Sequence, residues 1–327
     1  MIIDISRGSG GKATSDLIEK VFRKHFSNPV LDKMEDSAIV DLTGGKVAFT
    51  TDSYVVTPIF FPGGDIGKLA VCGTVNDLLV MGACPKCISA GFIIENGADD
   101  GDLEKIAISM SSAAEEAKVI IAAADTKVIE GNGGIYINTS GIGIIPDGRN
   151  IGTDSIAKGD SIIVSGDLGD HHAAILSSRM NIENDIISDC RPLNEPISAL
   201  FEAGIRVKCM RDITRGGLGT ILNELVGASG SMAEIEEVRI PVSRKVRGFC
   251  EVLGLDPVYM GNEGKFILIV DKRDEDDAVR ILKNCGYSSE ARIIGRIKAG
   301  SGVVMITSLK GRRIVGPMIG EGLPRIC

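Results

Sequence analysis

The sequence predicts two domains of mixed α/β class, in which strands and helices alternate along the chain. With 327 residues the chain is long for one hydrophobic core and fits two domains. Both halves mix short apolar runs, typical of strands, with segments whose apolar residues recur at helical spacing. Residues 146–159 are rich in Gly, Asp, Asn and Lys, which indicates a domain boundary. We therefore assign residues 1–150 to an N-terminal domain, 151–315 to a C-terminal domain and 316–327 to a mobile tail.

Composition argues against some functions and predicts a cytoplasmic location. The net charge is −8, aromatic residues make up 4% of the chain and Trp is absent, which argues against a nucleic-acid surface. The sequence starts without a basic signal region and contains no apolar run of about 18 residues. We expect a cytoplasmic protein whose eight dispersed cysteines stay reduced. Cys84 and Cys87 form a C-x-x-C pair, which fits core packing or, less well, a metal or redox role.

A glycine loop near the start, with Ser9, Gly10 and Gly11, is the first candidate ligand contact. It leads into residues 17–26, whose apolar side chains follow a helical period. Glycines before a helix can bring backbone N–H groups close to a phosphate. The spacing is not that of a Walker A motif, so a phosphate contact and a flexible leader both stay open.

Three acidic motifs follow, centred on Asp36, Asp52 and Asp77. Asp52 lies at the end of an apparent strand, whereas Asn76 and Asp77 interrupt an otherwise apolar helix over 66–81. A buried carboxylate in such a helix is costly unless it is paired or bound to a metal. Each aspartate alone is more often a cap or turn residue. Together they predict a Mg²⁺–phosphate site, because hard cations prefer carboxylate oxygens.

The remainder of the first half predicts one helix and three strands. The helix covers residues 103–117, and strands cover 87–94, 119–124 and 135–145. The apolar strand over 119–124 runs directly into Asp125, Thr126 and Lys127. Since α/β folds place ligand chemistry at the carboxyl ends of strands, Thr126 and Lys127 are candidate site residues.

The second half predicts strands over 161–164, 266–270, 292–297 and 303–306 and helices after 170, near 197 and over 275–284. A polar turn over 210–217 leads into a further helix.

This turn carries candidate ligand contacts. Arg211 and Arg215 are phosphate-compatible donors there, and Asp212 could add a metal ligand. A capped helix start is the alternative interpretation. Glu263, beside a glycine before a strand, is a turn residue or a catalytic base.

The tail, residues 316–327, ends on Cys327. Its glycines have no Cβ to restrict the backbone, and Pro317 and Pro324 discourage helix formation and strand pairing. We expect a mobile arm with a nucleophilic thiol at its tip. The alternative is a disordered terminus without function.

Taken together, these motifs resemble the AIR synthase superfamily along essentially the whole chain. Within it, the ending Pro324-Arg-Ile-Cys327 is similar to that of the hydrogenase-maturation carbamoyl dehydratases. The internal motifs are typical of the superfamily, and the terminal tetrapeptide is specific to this branch. The matching internal segments are 8–11, 51–53, 73–78, 125–128, 211–217 and 262–265.

The resemblance implies a two-domain AIR synthase-like fold whose N-terminal sheet pairs with a second copy in a homodimer. ATP and Mg²⁺ would bind between the domains. A partner carbamoyltransferase, HypF, would load Cys327 as a thiocarbamate, and ATP-dependent dehydration would convert this group to a thiocyanate. The cyano group would then pass to iron on a HypC–HypD complex.

The resemblance also implies residue roles. Cys327 would carry the substrate, while Lys127 and Glu263 are candidate bases. A neighbouring cation would keep Glu263 ionised, and burial would lower the pKa of Lys127. The implied Mg²⁺ ligands are Asp36, Asp52, Asp77 and Asp212. The implied nucleotide contacts are Ser9, Gly10, Gly11, Asn76, Thr126 and Arg215.

Two departures and three alternatives accompany this interpretation. Arg7 and His172 occupy positions where the family pattern predicts histidine and glycine, and we expect neither to touch the chemistry. A selenophosphate synthetase would carry a reactive cysteine in the first 30 residues, where this chain has none. A thiamine-monophosphate kinase would have no use for Cys327. A metal or redox carrier would use Cys327 with Cys84 and Cys87.

Overall fold

The computed structural model describes residues 19, 28–29, 31–33, 35–42 and 44–318. Three predicted features lie outside these residues: the glycine loop with Ser9, Gly10 and Gly11, most of the helix over 17–26, and the end of the tail with Cys327. In the described part of the chain, no helix is long and apolar enough to cross a membrane.

The N-terminal half is built on a five-stranded sheet with strand order β1-β2-β7-β5-β6. Strands β5 and β6 run parallel and the other neighbours antiparallel. A short hairpin, β3–β4, precedes the first helix. The elements are β1 (Ala38–Leu42), β2 (Gly45–Tyr54), β3 (Phe60–Phe61), β4 (Gly64–Asp65), α1 (Ile66–Val80), β5 (Cys84–Glu95), α2 (Asp100–Glu116), β6 (Ile120–Ile129) and β7 (Ile135–Ile145).

Helix α1 lies directly on one face of this sheet because two glycines of β7 leave room for it. A Cβ at Gly141 would lie 2.7 Å from Thr74 Cγ2, and a Cβ at Gly143 would lie 2.8 Å from Ala83 Cβ. The helix starts at Asp65, whose carboxylate accepts the N–H groups of Gly67 and Lys68. Nearly every side chain of α1 is buried, since α2, β9 (Val207–Asp212) and α4 (Asn194–Glu202) cover its other sides.

We call the side of the five-stranded sheet away from α1 the open face. Side chains alternate along β7, so Ile142 and Ile144 point to this side while Gly141 and Gly143 face α1. The residues of β1, β2 and β5 that share their register lie on the same side. The open face carries a patch of exposed apolar side chains, from Val40, Phe49, Ile93, Ile142 and Ile144.

The C-terminal half is built on a seven-stranded sheet with strand order β14-β13-β10-β12-β8-β11-β9. Its neighbours are antiparallel except β10 and β13. The elements are β8 (Ser161–Val164), α3 (Asp170–Met180), α4, β9, α5 (Gly217–Ser229), β10 (Met232–Glu236), α6 (Arg244–Leu253), β11 (Phe266–Val270), α7 (Glu275–Asn284), β12 (Arg292–Lys298), β13 (Gly302–Ile306) and β14 (Arg312–Val315).

The two halves share a hydrophobic core. Val71, Cys72 and Val75 of α1 belong to the same buried cluster as Leu193 and Phe266 of the C-terminal half. The connection between β7 and β8, where we place the domain boundary, contains a single turn of 3₁₀ helix, Thr153–Ser155. Helix α1 therefore sits between the two sheets, and residues on its far side can reach both.

Most predicted elements are confirmed, and the strand β6 is the main correction. The predicted strands over 135–145, 161–164 and 266–270 have the observed bounds, as has the helix over 275–284. We predicted that the strand over 119–124 ends before Asp125, but β6 continues to Ile129 because β5 pairs with it up to that residue. The sequence analysis missed β1, β3, β4, β9, β10, α6 and β14. Residues 210–212, which we predicted as part of a polar turn, form the end of β9 because they pair with β11.

Candidate active site

Four of the predicted carboxylates come together where α1 faces the C-terminal half. Asp77 lies on α1 and Asp52 on β2, whereas Asp212 is the last residue of β9. Asp36 lies just before β1. The hydroxyl of Thr50 joins two of these segments, since it lies 2.8 Å from Asp77 Oδ2 and 3.2 Å from the Asp36 carbonyl oxygen. The site therefore draws its carboxylates from both halves of the chain.

A buried arginine neutralises part of this charge. Arg211 of β9 donates from Nη1 to Asp36 Oδ1, and its Nε lies 3.9 Å from Glu35 Oε2. The other carboxylate oxygen of Glu35 accepts from the backbone N–H and hydroxyl of Thr153, at 3.3 and 3.2 Å. The sequence analysis noted Arg211 as a phosphate donor, but gave Glu35 no role. Arg211 thus links the two halves at the carboxylate cluster.

Burial and mutual repulsion raise the pKa values of these acids. Burial raises the pKa of Asp36 to about 6, although Arg211 lowers it. The pKa of Asp77 is well above its usual range, because of burial and then the charges of Asp212 and Asp52. Burial and the charge of Asp36 raise the pKa of Asp212 in the same way. A cation brought to this cluster would favour the ionised forms.

These residues fit Mg²⁺ held together with phosphate groups, and not a cage made of protein ligands alone. Among the described residues, no group of three or more His, Cys, Asp or Glu side chains is arranged to hold a metal ion. Glu35 Oε2 and Asp36 Oδ2 are nevertheless buried without a hydrogen-bond partner. Mg²⁺ usually binds one or two carboxylates and completes its shell with phosphate oxygens and water. Asp36, Asp52, Asp77 and Asp212 could supply such carboxylates.

Glu263 is buried next to this cluster, on the segment between the 3₁₀ turn Pro257–Tyr259 and β11. Burial is the main reason that its pKa lies well above the usual range, and the thiol of Cys190 and the charge of Asp212 add to it. Its Oε1 atom has no hydrogen-bond partner. We predicted that a neighbouring cation keeps Glu263 ionised. This is wrong, because Lys265, the nearby cation, contacts Asp189 instead.

Asn76 lies beside Asp77 on α1, but its side chain is used inside the protein. The amide nitrogen donates to the carbonyl oxygens of Arg191 and Glu263, at 3.1 and 3.3 Å, and the amide oxygen accepts from Leu193 N–H at 2.9 Å. Asn76 therefore joins the two halves next to Glu263. A nucleotide contact by this residue stays a prediction.

Lys127 is not part of the cluster within one chain. It lies on β6, which is three strands from β2, or about 14 Å at the usual strand spacing. Register places Lys127 on the open face beside Ile93, whereas Asp52 lies on the side of α1. Its side chain is 71% exposed and pairs with Asp125 at 3.4 Å, so the predicted burial is wrong. Thr126 is also exposed.

The helix α5 starts beside the site at Gly216 and Gly217. Both have positive φ, and a Cβ at Gly217 would lie 2.6 Å from the Tyr259 backbone, so glycine is required there. Arg215 precedes this turn and is exposed. Contact of Arg215 with phosphate stays a prediction, in keeping with its place before a helix start.

The tail leaves the C-terminal sheet next to this helix start. The Tyr259 hydroxyl donates to the Gly316 carbonyl at 2.9 Å, and Met318 N–H donates to the Thr220 hydroxyl at 3.2 Å. Thr220 lies in the first turn of α5, and Tyr259 precedes Glu263 by four residues. The described part of the tail therefore contacts two segments near the site. One is α5, which follows Asp212 along the chain, and the other is the 3₁₀ turn that precedes Glu263.

Three residues to which the sequence analysis gave no role in the chemistry, His172, Cys84 and Cys87, have defined places. His172 Nδ1 accepts the N–H of Gly261 at 3.3 Å, two residues before Glu263, and the expectation that His172 does not touch the chemistry stays a prediction. Burial lowers its pKa to about 3, which keeps it neutral. A bulge in β5 places Cys84 opposite Ile144 and Cys87 opposite Ile142, so both cysteines face the open face and not the core.

Comparison with known proteins identifies the family. The chain matches the models for AIR synthase related proteins, the N-terminal domain over residues 34–145 and the C-terminal domain over 157–307. It is 44% identical over 332 residues to the carbamoyl dehydratase HypE of Rhizobium leguminosarum bv. viciae, covering 99% of this chain and 95% of that protein. The chain belongs to the HypE family.

Solved structures of HypE proteins share the fold. A HypE–HypF complex contains a chain that is 43% identical, with a TM-score of 0.88, and covers 92% of this chain and 99% of that one. A HypE crystallised with ATP is 42% identical, with a TM-score of 0.84, over the full length of both chains. The predicted AIR synthase-like fold and the HypE resemblance are thereby confirmed.

Proposed function

We propose that this HypE-family protein is an ATP-dependent carbamoyl dehydratase that converts an S-carbamoyl group on Cys327 into a thiocyanate during hydrogenase maturation. The observation that carries this proposal is the arrangement at one interdomain site. Buried carboxylates from both halves lie there, next to the segments on which the tail starts. The relatives named carbamoyl dehydratase, and the HypE structure with ATP, support it.

The reaction needs activation of a poor leaving group. The carbamoyl oxygen attacks the γ-phosphorus of ATP and displaces ADP, while the nitrogen loses one proton. Loss of phosphate and of the second nitrogen proton then forms the C≡N bond. The protein positions the groups and neutralises charge, since phosphoryl transfer needs little covalent help. A buried Glu263, whose pKa burial raises well above its usual range, fits a group that exchanges a proton with the nitrogen or the leaving phosphate.

Metal and nucleotide contacts follow from the cluster. Asp36, Asp52, Asp77 and Asp212 are our proposed Mg²⁺ ligands, and the metal would neutralise the phosphate charge during transfer. Arg215 and the glycine N–H groups at the start of α5 are the proposed phosphate contacts. The contacts proposed for Ser9, Gly10, Gly11, Asn76 and Thr126 rest on the family resemblance alone.

The tail must carry Cys327 from a partner enzyme into this cleft. Met318 is the last described residue, and the nine residues after it span at most about 30 Å when extended. That reach spans the distance across a domain. We propose HypF as the carbamoyl donor, in line with the HypE–HypF complex, and a HypC–HypD complex as acceptor of the cyano group. We place the reaction in the cytoplasm, where thiols stay reduced.

We also propose a homodimer that forms through the open face. Exposed apolar patches of this kind on a sheet mark protein interfaces, and pairing would cover Phe49, Ile142 and Ile144. Lys127 lies on the same face. The role of Lys127 as a base rests on the family resemblance alone.

Mass spectrometry of the peptide that contains Cys327 tests the function. Cyanate can carbamoylate the thiol chemically, and MgATP is then added, with Cys327→Ala as control. We expect ATP-dependent loss of one water from the carbamoylated peptide. A carbamoylated Cys327 that keeps its mass while ATP is consumed on free small molecules would favour the kinase alternative. Stoichiometric zinc or iron without nucleotide binding would favour the carrier.

A further inference from the structure

The segment that carries Glu263 is held by a second carboxylate, Asp189, which no sequence pattern indicates. Asp189 lies between α3 and α4 and is buried. Its Oδ1 accepts the backbone N–H of Glu263 at 3.1 Å, and its Oδ2 accepts the N–H of Gly264 at 3.3 Å. Lys265 Nζ lies 3.5 Å from Oδ2 and balances the charge. The Asp189 side chain therefore accepts the N–H groups of both Glu263, the candidate acid or base, and the residue after it.

The backbone at Gly264 packs directly against the backbone at Asp189. A Cβ at Gly264 would overlap the carbonyl oxygen of Asp189, so only glycine allows this approach. Asn76 holds the same segment from the N-terminal half, because its amide donates to the Glu263 carbonyl at 3.3 Å. The backbone of Glu263 is thus fixed by two side chains, one from each half.

The carboxyl group of Glu263 has much less support of its own. Its Oε1 is buried and has no hydrogen-bond partner. A polar cavity of about 350 Å³, lined by Asp189, Arg191 and Lys265 among others, lies beside the segment. A segment released from Asp189 has space to move toward this cavity. The position of the Glu263 carboxyl therefore depends on the bonds made by its backbone.

We propose that Asp189 and Asn76 are positioning residues that fix the Glu263 carboxyl in the reaction cleft by clamping its backbone. This inference rests on the proposed function, in which Glu263 exchanges a proton during dehydration. It changes the role of Asn76, which the family resemblance had placed on the nucleotide. Neither residue touches the reacting atoms in this scheme.

The test compares Asp189→Asn and Asn76→Ser with wild type, using the full chain with a carbamoylated Cys327. The amide of Asp189→Asn keeps the size of the side chain but turns an NH₂ group toward a backbone N–H or Lys265. A displacement of about 1 Å can lower turnover by about 100-fold, so we expect kcat to fall between ~10- and ~100-fold. The Kd for MgATP should change less than about threefold. Asp185→Asn, in the same segment but exposed, is the matched control and should keep wild-type kcat.

Combination with Glu263→Gln separates positioning from general damage. If both residues act through Glu263, Asp189→Asn and Asn76→Ser should cause little further loss of kcat in the Glu263→Gln protein. Multiplicative losses in the double variants would overturn the proposal, as would wild-type kcat in both single variants. Asn76→Ser also decides the matter if Asp189→Asn does not fold. Weak MgATP binding with normal kcat in Asn76→Ser would show that Asn76 contacts the nucleotide and does not position Glu263.

The two levels of the proposal fail differently. Wild-type turnover in Glu263→Gln would contradict the proposed role of Glu263 in proton exchange. The proposed positioning role of Asp189 and Asn76 would then be contradicted as well. Impaired turnover in Glu263→Gln together with normal Asp189 and Asn76 variants would overturn the clamp alone.

Discussion

Arg211 of the C-terminal half donates to the carboxylate of Asp36 in the N-terminal half, and both side chains are largely buried. This ion pair sits within the carboxylate cluster and joins β9 to the segment before β1. Arg211 Nε also lies 3.9 Å from Glu35 Oε2, so one guanidinium faces two acids of the cluster. Removal of a partner from a buried pair leaves an uncompensated charge.

Substitution of Arg211 by Met should lower stability strongly at pH 8. We expect a loss of about 3 kcal/mol in the free energy of unfolding without nucleotide, because Asp36 and Glu35 then face one another without a cation. The loss should be smaller at pH 5, where Asp36 can take up a proton. Urea unfolding at both pH values measures it. Arg292→Met, which breaks an exposed pair with Glu290, is the control and should cost less than about 1 kcal/mol. Equal losses in the two variants would contradict the role given to Arg211.

Binding of MgATP should release protons and tighten as pH rises from 6 to 8. Burial and neighbouring carboxylates raise the pKa values of Asp77 and Asp212 well above their usual range, and a metal that binds the ionised forms should therefore displace protons. Calorimetry in two buffers of different ionisation enthalpy gives the number of protons released. Asp77→Asn should reduce that number and weaken binding. Buffer-independent heats would show that these acids do not meet the metal.

Asp170→Asn should raise stability at pH 8 and leave it nearly unchanged at pH 4. Burial and the charge of Asp189 raise the pKa of Asp170 to about 6 in the folded state. A raised acid pKa favours folding below the unfolded pKa, and this contribution is lost as pH rises through the folded value. A shift from 3.8 to about 6 corresponds to about 3 kcal/mol at most. Urea unfolding of both proteins at the two pH values checks it, and a difference that does not vary with pH would contradict it.

Gly264→Ala should damage the site, whereas Gly248→Ala should not. A Cβ at Gly264 meets the backbone of Asp189, while the same change at Gly248, an exposed position in α6, meets open space. We expect Gly264→Ala to cost about 3 kcal/mol and to lower kcat. Gly248→Ala should gain about 0.5–1 kcal/mol. Thermal unfolding and turnover of both proteins test the pair, and a tolerated Gly264→Ala would show that the segment can shift freely.

Ile142→Asp should disrupt the proposed dimer without unfolding the chain. Ile142 is 42% exposed near the centre of the open face, so a charge there would be buried on pairing. Sedimentation at micromolar concentration should show a monomer for Ile142→Asp and a dimer for the wild type. Leu309→Asp is the control, since Leu309 is 92% exposed in the β13–β14 turn. A wild-type monomer, or a dimer in both variants, would exclude pairing through this face.

The elements of the fold were largely predictable because each depends on local patterning. Alternation along 135–145 identifies β7, because that strand is buried on one face only. The unbroken apolar run of 266–270 identifies β11, because that strand is buried on both faces. The missed strand β14 has two arginines among four residues, one exposed and one half-buried, so its pairing with β13 leaves no apolar pattern. Asp125 and Lys127 looked like a strand end because a polar edge strand lacks the same pattern.

The site was predictable only in part. Asp36, Asp52, Asp77 and Asp212 were named from polar residues in apolar surroundings, and the structure brings them together. Asp189 was missed because its partners are backbone N–H groups more than 70 residues away, which leave no mark in the side-chain sequence.

The sequence by itself determined the family, the strands and helices, and the residue types available for phosphate chemistry. Tertiary structure decided which of those residues meet. Register placed Lys127 on the opposite side of the sheet from Asp52, because side chains alternate between faces and a strand's partners fix its orientation. Burial decided that the pKa of Glu263 is raised, because the cost of an ionised carboxyl depends on surroundings assembled from both halves of the chain.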